Sequence, residues 1–203
     1  MSVEATPAVP ITATGTQPRN YHGQVIAITV FSTIKLPGRI FLPILFQVTR
    51  RIPKLTVTLR QLSFIHFARW CLINKLPYNG PPQKKARWRY PHMYFESNFN
   101  GGWEEYIDAF SHILTNGMTA FWGTSYGFPK PLPTGPFKKY IQDNETEADH
   151  YWCAYPEATN TMIQRALELD SKVAALKRNA ERMSPDEFAA AYRAFLTDAQ
   201  YAL

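Results

Sequence analysis

Four polar side chains interrupt two aromatic-rich segments of the sequence. His66 and Arg69 lie in the segment SFIHFARW, and Glu96 and Asn98 lie in the segment YFESNFNGGWEEY. Both segments are typical of β-strands. An unpaired charge in a buried strand costs several kcal/mol of folding free energy. We therefore expect each side chain to have a partner or a function, and we take His66, Glu96 and Asn98 as the candidate catalytic residues.

The histidine and the arginine of the first segment each allow two interpretations. A neutral imidazole near pH 7 can act as a general base or as a haem ligand, and the alternative for His66 is a hydrogen-bonded core or interface histidine. Arg69 either binds a ligand or forms a salt bridge with Glu96 on the adjacent strand. His66 and Arg69 point to opposite faces unless a bulge intervenes, and the sequence leaves the strand register open.

A glycine pair joins the second segment to a predicted helix. Asn100, Gly101 and Gly102 precede the predicted helix and Trp103 begins it, at a helix start where free backbone N–H groups can bind a carboxylate or a phosphate. These four residues and Arg69 are the candidate ligand-binding residues. The alternative is an ordinary strand-to-helix turn, and the spacing matches neither a P-loop nor a dinucleotide fingerprint.

Basic and aromatic side chains alternate in a long loop. Lys84, Lys85, Arg87, Trp88 and Arg89 are suited to an anionic surface, because the bases contact phosphates while the rings stack on bases or lie among lipid headgroups. The alternative is a solvated loop neutralised by acidic neighbours. No nucleic-acid motif accompanies the loop, so a lipid surface ranks above nucleic acid.

An apolar segment, residues 40–48, also indicates a lipid surface. It is too short to span a bilayer, but Arg39, Arg50, Arg51 and Lys54 surround it. Such a segment can enter an anionic interface. A crossover helix buried against the sheet is the alternative.

Charge is distributed very unevenly along the chain. Residues 5–95 contain no Asp or Glu and thirteen Lys or Arg, whereas the chain from Glu96 onward contains fifteen acids and nine bases. A basic first half favours an anionic partner such as a lipid headgroup, a nucleic acid or an acidic metabolite. Internal neutralisation by the acidic helices is the alternative.

Composition limits the remaining possibilities. A 45% hydrophobic share over 203 residues supports one packed domain with extensions. No signal peptide is visible and there are two cysteines, Cys71 and Cys153, so the expected location is cytoplasmic, with peripheral association at the inner face of the membrane as a further possibility.

No metal site is predicted, because the five histidines lack ligand spacing and there is no Cys-x-x-Cys. The sequence contains no nucleophile elbow and no identifiable Cys/His pair, so it gives no indication of nucleophilic catalysis.

The pattern of elements predicts an α+β fold. Strands are predicted at residues 24–33, 64–73, 92–99 and 149–155, and helices at residues 39–51, 103–116, 137–142, 159–182 and from Ser184 onward, with an amphipathic segment at 54–62 and a loop at 117–136. The order βαββαβ is that of a ferredoxin-like antiparallel sheet. We predict a flexible tail (residues 1–20), a ferredoxin-like core (21–157) and a helical extension (158–203).

Both faces of the second strand are apolar. Helices cover one face of a ferredoxin-like sheet, so a second copy is expected to cover the other and to form a dimeric α/β barrel with a cavity. Alternation places Phe95 and Phe99 against the helices, and Glu96 and Asn98 on the cavity side. Cys71 and Cys153 would lie at opposite sheet edges. They are therefore expected to be free or to lie at a contact between chains.

The chain resembles a family of uncharacterised proteins that is frequent in actinobacteria. The resemblance covers roughly residues 24–175 and is carried by residues 62–70, 95–110, Gly-Phe-Pro at 127–129 and Tyr-Pro at 155–156. Asn100 stands where that family leads us to expect Asp. The resemblance implies a dimeric α/β fold and brings no established activity.

Two functions follow from these observations. The first is an accessory or binding protein that holds a hydrophobic anionic small molecule, or associates with a lipid surface through its basic first half. The alternative is a small oxidoreductase or oxygenase, haem-dependent or cofactor-free, that acts in a dimer cavity through His66, Glu96 and Asn98. Fold analogy is the main support for the alternative.

Overall fold

A computed structural model describes residues 20–52, 62–86 and 88–200. The predicted tail up to Arg19, most of the amphipathic segment 54–62, and Arg87 lie outside the described residues. The chain divides into two compact units, with the boundary in the sequence between Glu157 and Ala158.

The α+β class is confirmed, with four strands and six helices in the described part of the chain. The strands are β1 (Tyr21–His22), β2 (Val25–Thr33), β3 (Ile65–Ile73) and β4 (His92–Asn100). The helices of the first unit are α1 (Gly38–Arg51), α2 (Trp103–Ile113), α3 (Thr115–Trp122) and α4 (Thr134–Asn144). The second unit contains α5 (Asn160–Ala180) and α6 (Pro185–Ala199).

The sheet is antiparallel throughout, in the order β1-β2-β4-β3. One face packs against α1–α4 and forms the core, which includes Val30, Phe95 and Phe99 from the strands and Leu42 and Phe110 from the helices. The opposite face, called the open face here, carries Phe67, Arg69 and Cys71 on β3, and all three are exposed. Alternation along the strands therefore assigned the two faces of β4 correctly.

The predicted strand at 149–155 is not formed, and this corrects the sequence prediction. The pairing with β2 is made by residues just before this stretch, through the Thr146 N–H to the Thr29 carbonyl (2.8 Å). Beyond it, β1 pairs with the same edge of β2, with Tyr21 opposite Ile26. Because β1 occupies that edge, the 149–155 segment bonds to side chains instead, for example the Cys153 N–H to His22 Nδ1 (3.0 Å).

The predicted loop at 117–136 is also wrong over its first part, because residues 115–122 form α3. Gly117 lies inside this helix, although glycine disfavours helices by about 1 kcal/mol relative to alanine. Met118 and Trp122, one helical turn apart, are both buried in the core. Tertiary packing of these two side chains therefore outweighs the local preference.

The second unit is a helical pair. Thr159 caps α5 through the Met162 N–H, and Ser184 with Glu187 forms the predicted capping box at the start of α6. Lys172 of α5 forms an ion pair with Asp198 of α6 (2.5 Å).

Candidate functional site

The centre of the open face holds a polar cluster of three side chains. Arg69 lies directly opposite Glu96, with its Nη2 atom 2.6 Å from Glu96 Oε2. The Tyr94 hydroxyl donates to the same oxygen (2.9 Å), and the Arg69 guanidinium lies 5.2 Å from the centre of the Tyr94 ring. The structure thus forms the Arg69–Glu96 salt bridge that the sequence left as one alternative, and the carboxylate is already paired.

Asn98 lies on the same face and is almost fully buried. Its Oδ1 atom accepts a hydrogen bond from the Tyr151 hydroxyl (2.6 Å), and its Nδ2 atom is buried without a partner among the described residues. Burial raises the pKa of Tyr151 to about 12, helped by the nearby Cys153 and Glu96 charges. Tyr151 is therefore a neutral donor to Asn98 at physiological pH.

His66 lies at an irregularity of the β3–β4 pairing. Ile65 is opposite Phe99 and Phe67 is opposite Asn98, so His66 is an extra residue in β3, as in a β-bulge. Burial lowers the pKa of His66, and a hydrogen bond with the Asn100 side chain opposes that shift. No ion pair or hydrogen bond in the described part of the chain joins His66 to Glu96, so the three candidate catalytic residues do not form one network.

The glycine turn before α2 lies beside two carboxylates of the helix that follows it. The Asn100 Nδ2 atom donates to the Gln24 carbonyl (2.7 Å), and Gly101 has a φ of 96°, a left-handed conformation that glycine adopts without strain. The Glu105 carboxylate lies directly against Gly102, with Glu104 in the same first turn. These carboxylates are suited to the positive end of the helix dipole, so the anion-binding hypothesis gains no support here.

Trp103 binds a carboxyl group whose protonation is unusual. Its indole Nε1 atom donates to Glu145 Oε2 (3.1 Å). Burial raises the pKa of Glu145 to about 7, against the effect of that hydrogen bond and together with the charge of Glu147. Sequence reasoning missed Glu145, because nothing near it in the chain signals burial.

The basic loop is linked to the start of α1 by ring contacts. Arg89 lies over the Tyr90 ring (5.3 Å), the Tyr90 ring meets the Tyr126 ring (5.3 Å), and Lys35 lies over Tyr126 (5.8 Å). The two lipid-surface indications, which are far apart in sequence, are therefore neighbours in space.

The other residues of the loop have different surroundings. Trp88 is partly buried and packs on Phe31 and His92. Lys85 lies over the ring of Tyr78 at 5.1 Å, and Lys84 is exposed.

Helix α1 has one buried and one exposed apolar face. Leu42 is fully buried, and Leu45 and Phe46 pack against the core. On the outer face Ile40 is 71% and Ile44 is 58% exposed. The sequence left a buried crossover helix and an interfacial helix as alternatives. The inner face of α1 is buried as in a crossover helix, and its outer face carries the exposed apolar side chains that an interfacial helix needs.

A cavity of about 300 Å³ lies between the inner face of α1 and the helices α2 and α3. Its aromatic lining residues are Phe46, Trp70, Phe110, Phe121 and Trp122. Thr49, Arg50 and Gly117 also line it. Sequence reasoning missed this cavity because it read the stretch from Gly117 onward as a loop.

Within residues 20–52, 62–86 and 88–200, no group of three or more His, Cys, Asp or Glu side chains is placed to hold a metal ion. Both cysteines are free. No helix in the described ranges has the length and apolar character needed to cross a membrane.

Comparison of the chain with family models, curated proteins and solved structures gave no match. The family resemblance drawn from the strand motifs remains a prediction.

Proposed function

We propose that this protein binds an anionic lipid surface peripherally, with the outer face of α1 as the contact. The observation that carries this proposal is a row of exposed apolar side chains flanked by bases. Ile40, Ile44 and Val48 follow at four-residue intervals and share one helix face, and Leu36 and Ile52 extend the row at both ends. An amphipathic helix of this kind buries its apolar face about 5–10 Å into the boundary of headgroups and acyl chains.

The charge around α1 favours an anionic rather than a neutral surface. Arg39, Arg50 and Arg51 belong to the helix, which contains no acidic residue. Helix α1 packs against β3 and α3, and neither of these contains Asp or Glu. Each base near an anionic membrane contributes about 1 kcal/mol of attraction.

The neighbouring loop enlarges the same surface. Lys35 and Arg89 add two bases, and Tyr90 and Tyr126 add aromatic rings, all joined by the ring contacts described above. Tyrosine is enriched at membrane interfaces because its ring is apolar and its hydroxyl is polar. These residues therefore support the proposal from a second part of the chain.

Cosedimentation with vesicles tests this function. We expect binding to phosphatidylglycerol vesicles, weak binding to phosphatidylcholine vesicles, and release as salt rises from about 0.1 M to about 1 M, where the screening length falls from about 10 Å to about 3 Å. The double variant Ile40→Ser/Ile44→Ser should lose binding without unfolding, because both side chains are exposed in the free protein.

The matched control is Leu167→Ser in α5, where an equally apolar side chain is 67% exposed in the other unit. It should bind as the unmodified protein does. Binding that survives the Ile40→Ser/Ile44→Ser change, or that is equal on both vesicle types, would contradict the proposal.

We also propose that the sheet follows the ferredoxin-like plan and that a second copy covers its open face. Support comes from three alternate residues of β3 that share the open face. Phe67 is 61% exposed, and Arg69 and Cys71 are also exposed. An apolar ring on an outer strand is a common feature of surfaces that associate. Native mass spectrometry should detect a dimer, and a monomer at all concentrations would contradict this part of the proposal.

A further inference from the structure

We propose that the cavity beside α1 binds one hydrophobic carboxylate, with the apolar body among the aromatic rings and the carboxylate at Arg50. A volume of about 300 Å³ holds about ten water-sized groups at about 30 Å³ each. This is the size of a medium-chain fatty acid. The inference goes beyond the proposed function, because it concerns a single dissolved molecule and requires no membrane.

The cavity walls are suited to an apolar chain. The Phe46 and Phe121 rings stack at 5.7 Å, and the Trp70 and Phe121 rings stack at 5.2 Å. Ligand pockets in proteins are mostly lined by such side chains, with a few polar groups that fix the orientation of the ligand. An apolar ligand would remove this aromatic surface from water and gain dispersion contacts with it.

The polar groups at the cavity favour an anion. Arg50 lines it and has no ion pair with any residue in the described part of the chain. The Arg50 guanidinium is a donor only, and a carboxylate is an acceptor only.

The remaining polar group at the cavity does not compete for this role. The Thr49 hydroxyl already donates to the Leu45 carbonyl (3.0 Å), so its proton is engaged within α1. Arg50 is therefore the cationic group that can pair with a carboxylate at this site. A neutral alcohol of the same length would keep the apolar contacts and could accept a hydrogen bond from Arg50, but it would lack the attraction between opposite charges.

Isothermal titration with decanoate, below its micelle-forming concentration and without vesicles, tests the site. We expect decanoate to bind more tightly than decanol, and Arg50→Gln to weaken decanoate binding about tenfold or more, the usual effect of losing a charged hydrogen-bond partner. Arg39→Gln is the matched control, since Arg39 lies on the same helix and does not line the cavity. It should bind decanoate as the unmodified protein does.

A second pair of variants tests the position of the ligand. A Cβ atom at Gly117 would lie 3.9 Å from Leu114 Cβ, an ordinary contact, so Gly117→Ala should fold and keep binding. Gly117→Leu should fill the cavity and abolish decanoate binding without lowering the thermal midpoint.

Absence of decanoate binding, or binding unchanged by both Arg50→Gln and Gly117→Leu, would overturn the inference. If Gly117→Leu fails to fold, the comparison of Arg50→Gln with Arg39→Gln decides alone. The Ile40→Ser/Ile44→Ser variant distinguishes this site from the lipid surface, because it should lose vesicle binding and keep decanoate binding.

Discussion

Arg69 of β3 and Glu96 of β4 are directly opposite each other, and their side chains meet at 2.6 Å on the exposed face of the sheet. Tyr94 donates to the same carboxylate and lies beside the guanidinium. Trp70, the next residue of β3, packs against the core instead. One strand thus presents a charged pair outward and an aromatic anchor inward.

Reversal of the charge at Arg69 should separate the two proposed copies without unfolding either one. Arg69→Glu removes the cationic partner of Glu96 and leaves the open face of each copy negatively charged. Like charges that face each other across the proposed interface are strongly unfavourable. We expect dimer dissociation to rise about tenfold or more, measured by sedimentation equilibrium. Lys172→Glu, which faces Asp198 in the second unit, makes the same change elsewhere and should leave the dimer intact. Equal dissociation constants for both variants would argue against the open face as the interface.

Glu145 should make stability fall as pH rises. Its pKa is raised to about 7 in the folded chain, whereas an unfolded glutamate titrates near about 4.3. The folded state therefore binds more protons between these values, and unfolding free energy decreases across this range by up to about 3 kcal/mol. Urea unfolding at pH 5 and at pH 8 measures the difference.

Glu145→Gln should remove most of that pH dependence and raise stability at pH 8. The glutamine carbonyl can still accept the Trp103 hydrogen bond, so the change isolates the charge. Glu157→Gln, at an exposed carboxylate that is not among the causes of the Glu145 shift, is the control and should keep the slope. An unaltered slope in Glu145→Gln would show that another group titrates there.

The Tyr140 hydroxyl should matter for stability although it is far from the open face. It donates to Ser32 Oγ (2.9 Å), and both residues are buried. Tyr140→Phe leaves the serine hydroxyl without this donor and should cost about 1–3 kcal/mol in urea unfolding. Tyr155→Phe, at a residue that is 76% exposed, should cost almost nothing. If both variants unfold at the same urea concentration, the bond contributes little.

The capping box should control the start of α6. Ser184 accepts the Glu187 N–H, and the Glu187 carboxylate accepts the Ser184 N–H. Ser184→Ala should destabilise the second unit by about 1 kcal/mol, observed as a lower helix-melting temperature by circular dichroism. Ser171→Ala serves as the comparison, because Ser171 lies inside α5 and its hydroxyl donates to the Glu168 backbone carbonyl rather than to a helix start. An equal effect of the two changes would mean that the cap is not stabilising.

Local signals in the sequence predicted much of the fold. The β-branched run at β2, the aromatic runs at β3 and β4, and the Ser-Pro start of α6 are all short-range patterns that packing did not override. Alternation along β4 also placed Phe95 inside and Glu96 outside. Each of these features depends on neighbours within a few residues.

The failures share a different physical origin. The extra residue at His66 depends on pairing with a strand far along the chain, and α3 depends on core contacts of Met118 and Trp122. The 149–155 segment remains irregular because Tyr21–His22 occupies the edge it would need. The cavity and the partly buried Glu145 likewise arise from packing between distant elements, which no local pattern encodes.

The position of β4 has a consequence for how the protein folds as it is made. β2 and β3 leave the ribosome before β4. They do not pair with each other, because β4 lies between them in the sheet. Non-local pairing of this kind slows folding, and synthesis proceeds from the N-terminus. The β1–β2 pair can therefore form early, but the four-stranded sheet cannot be completed before Asn100, the last residue of β4, has left the ribosome.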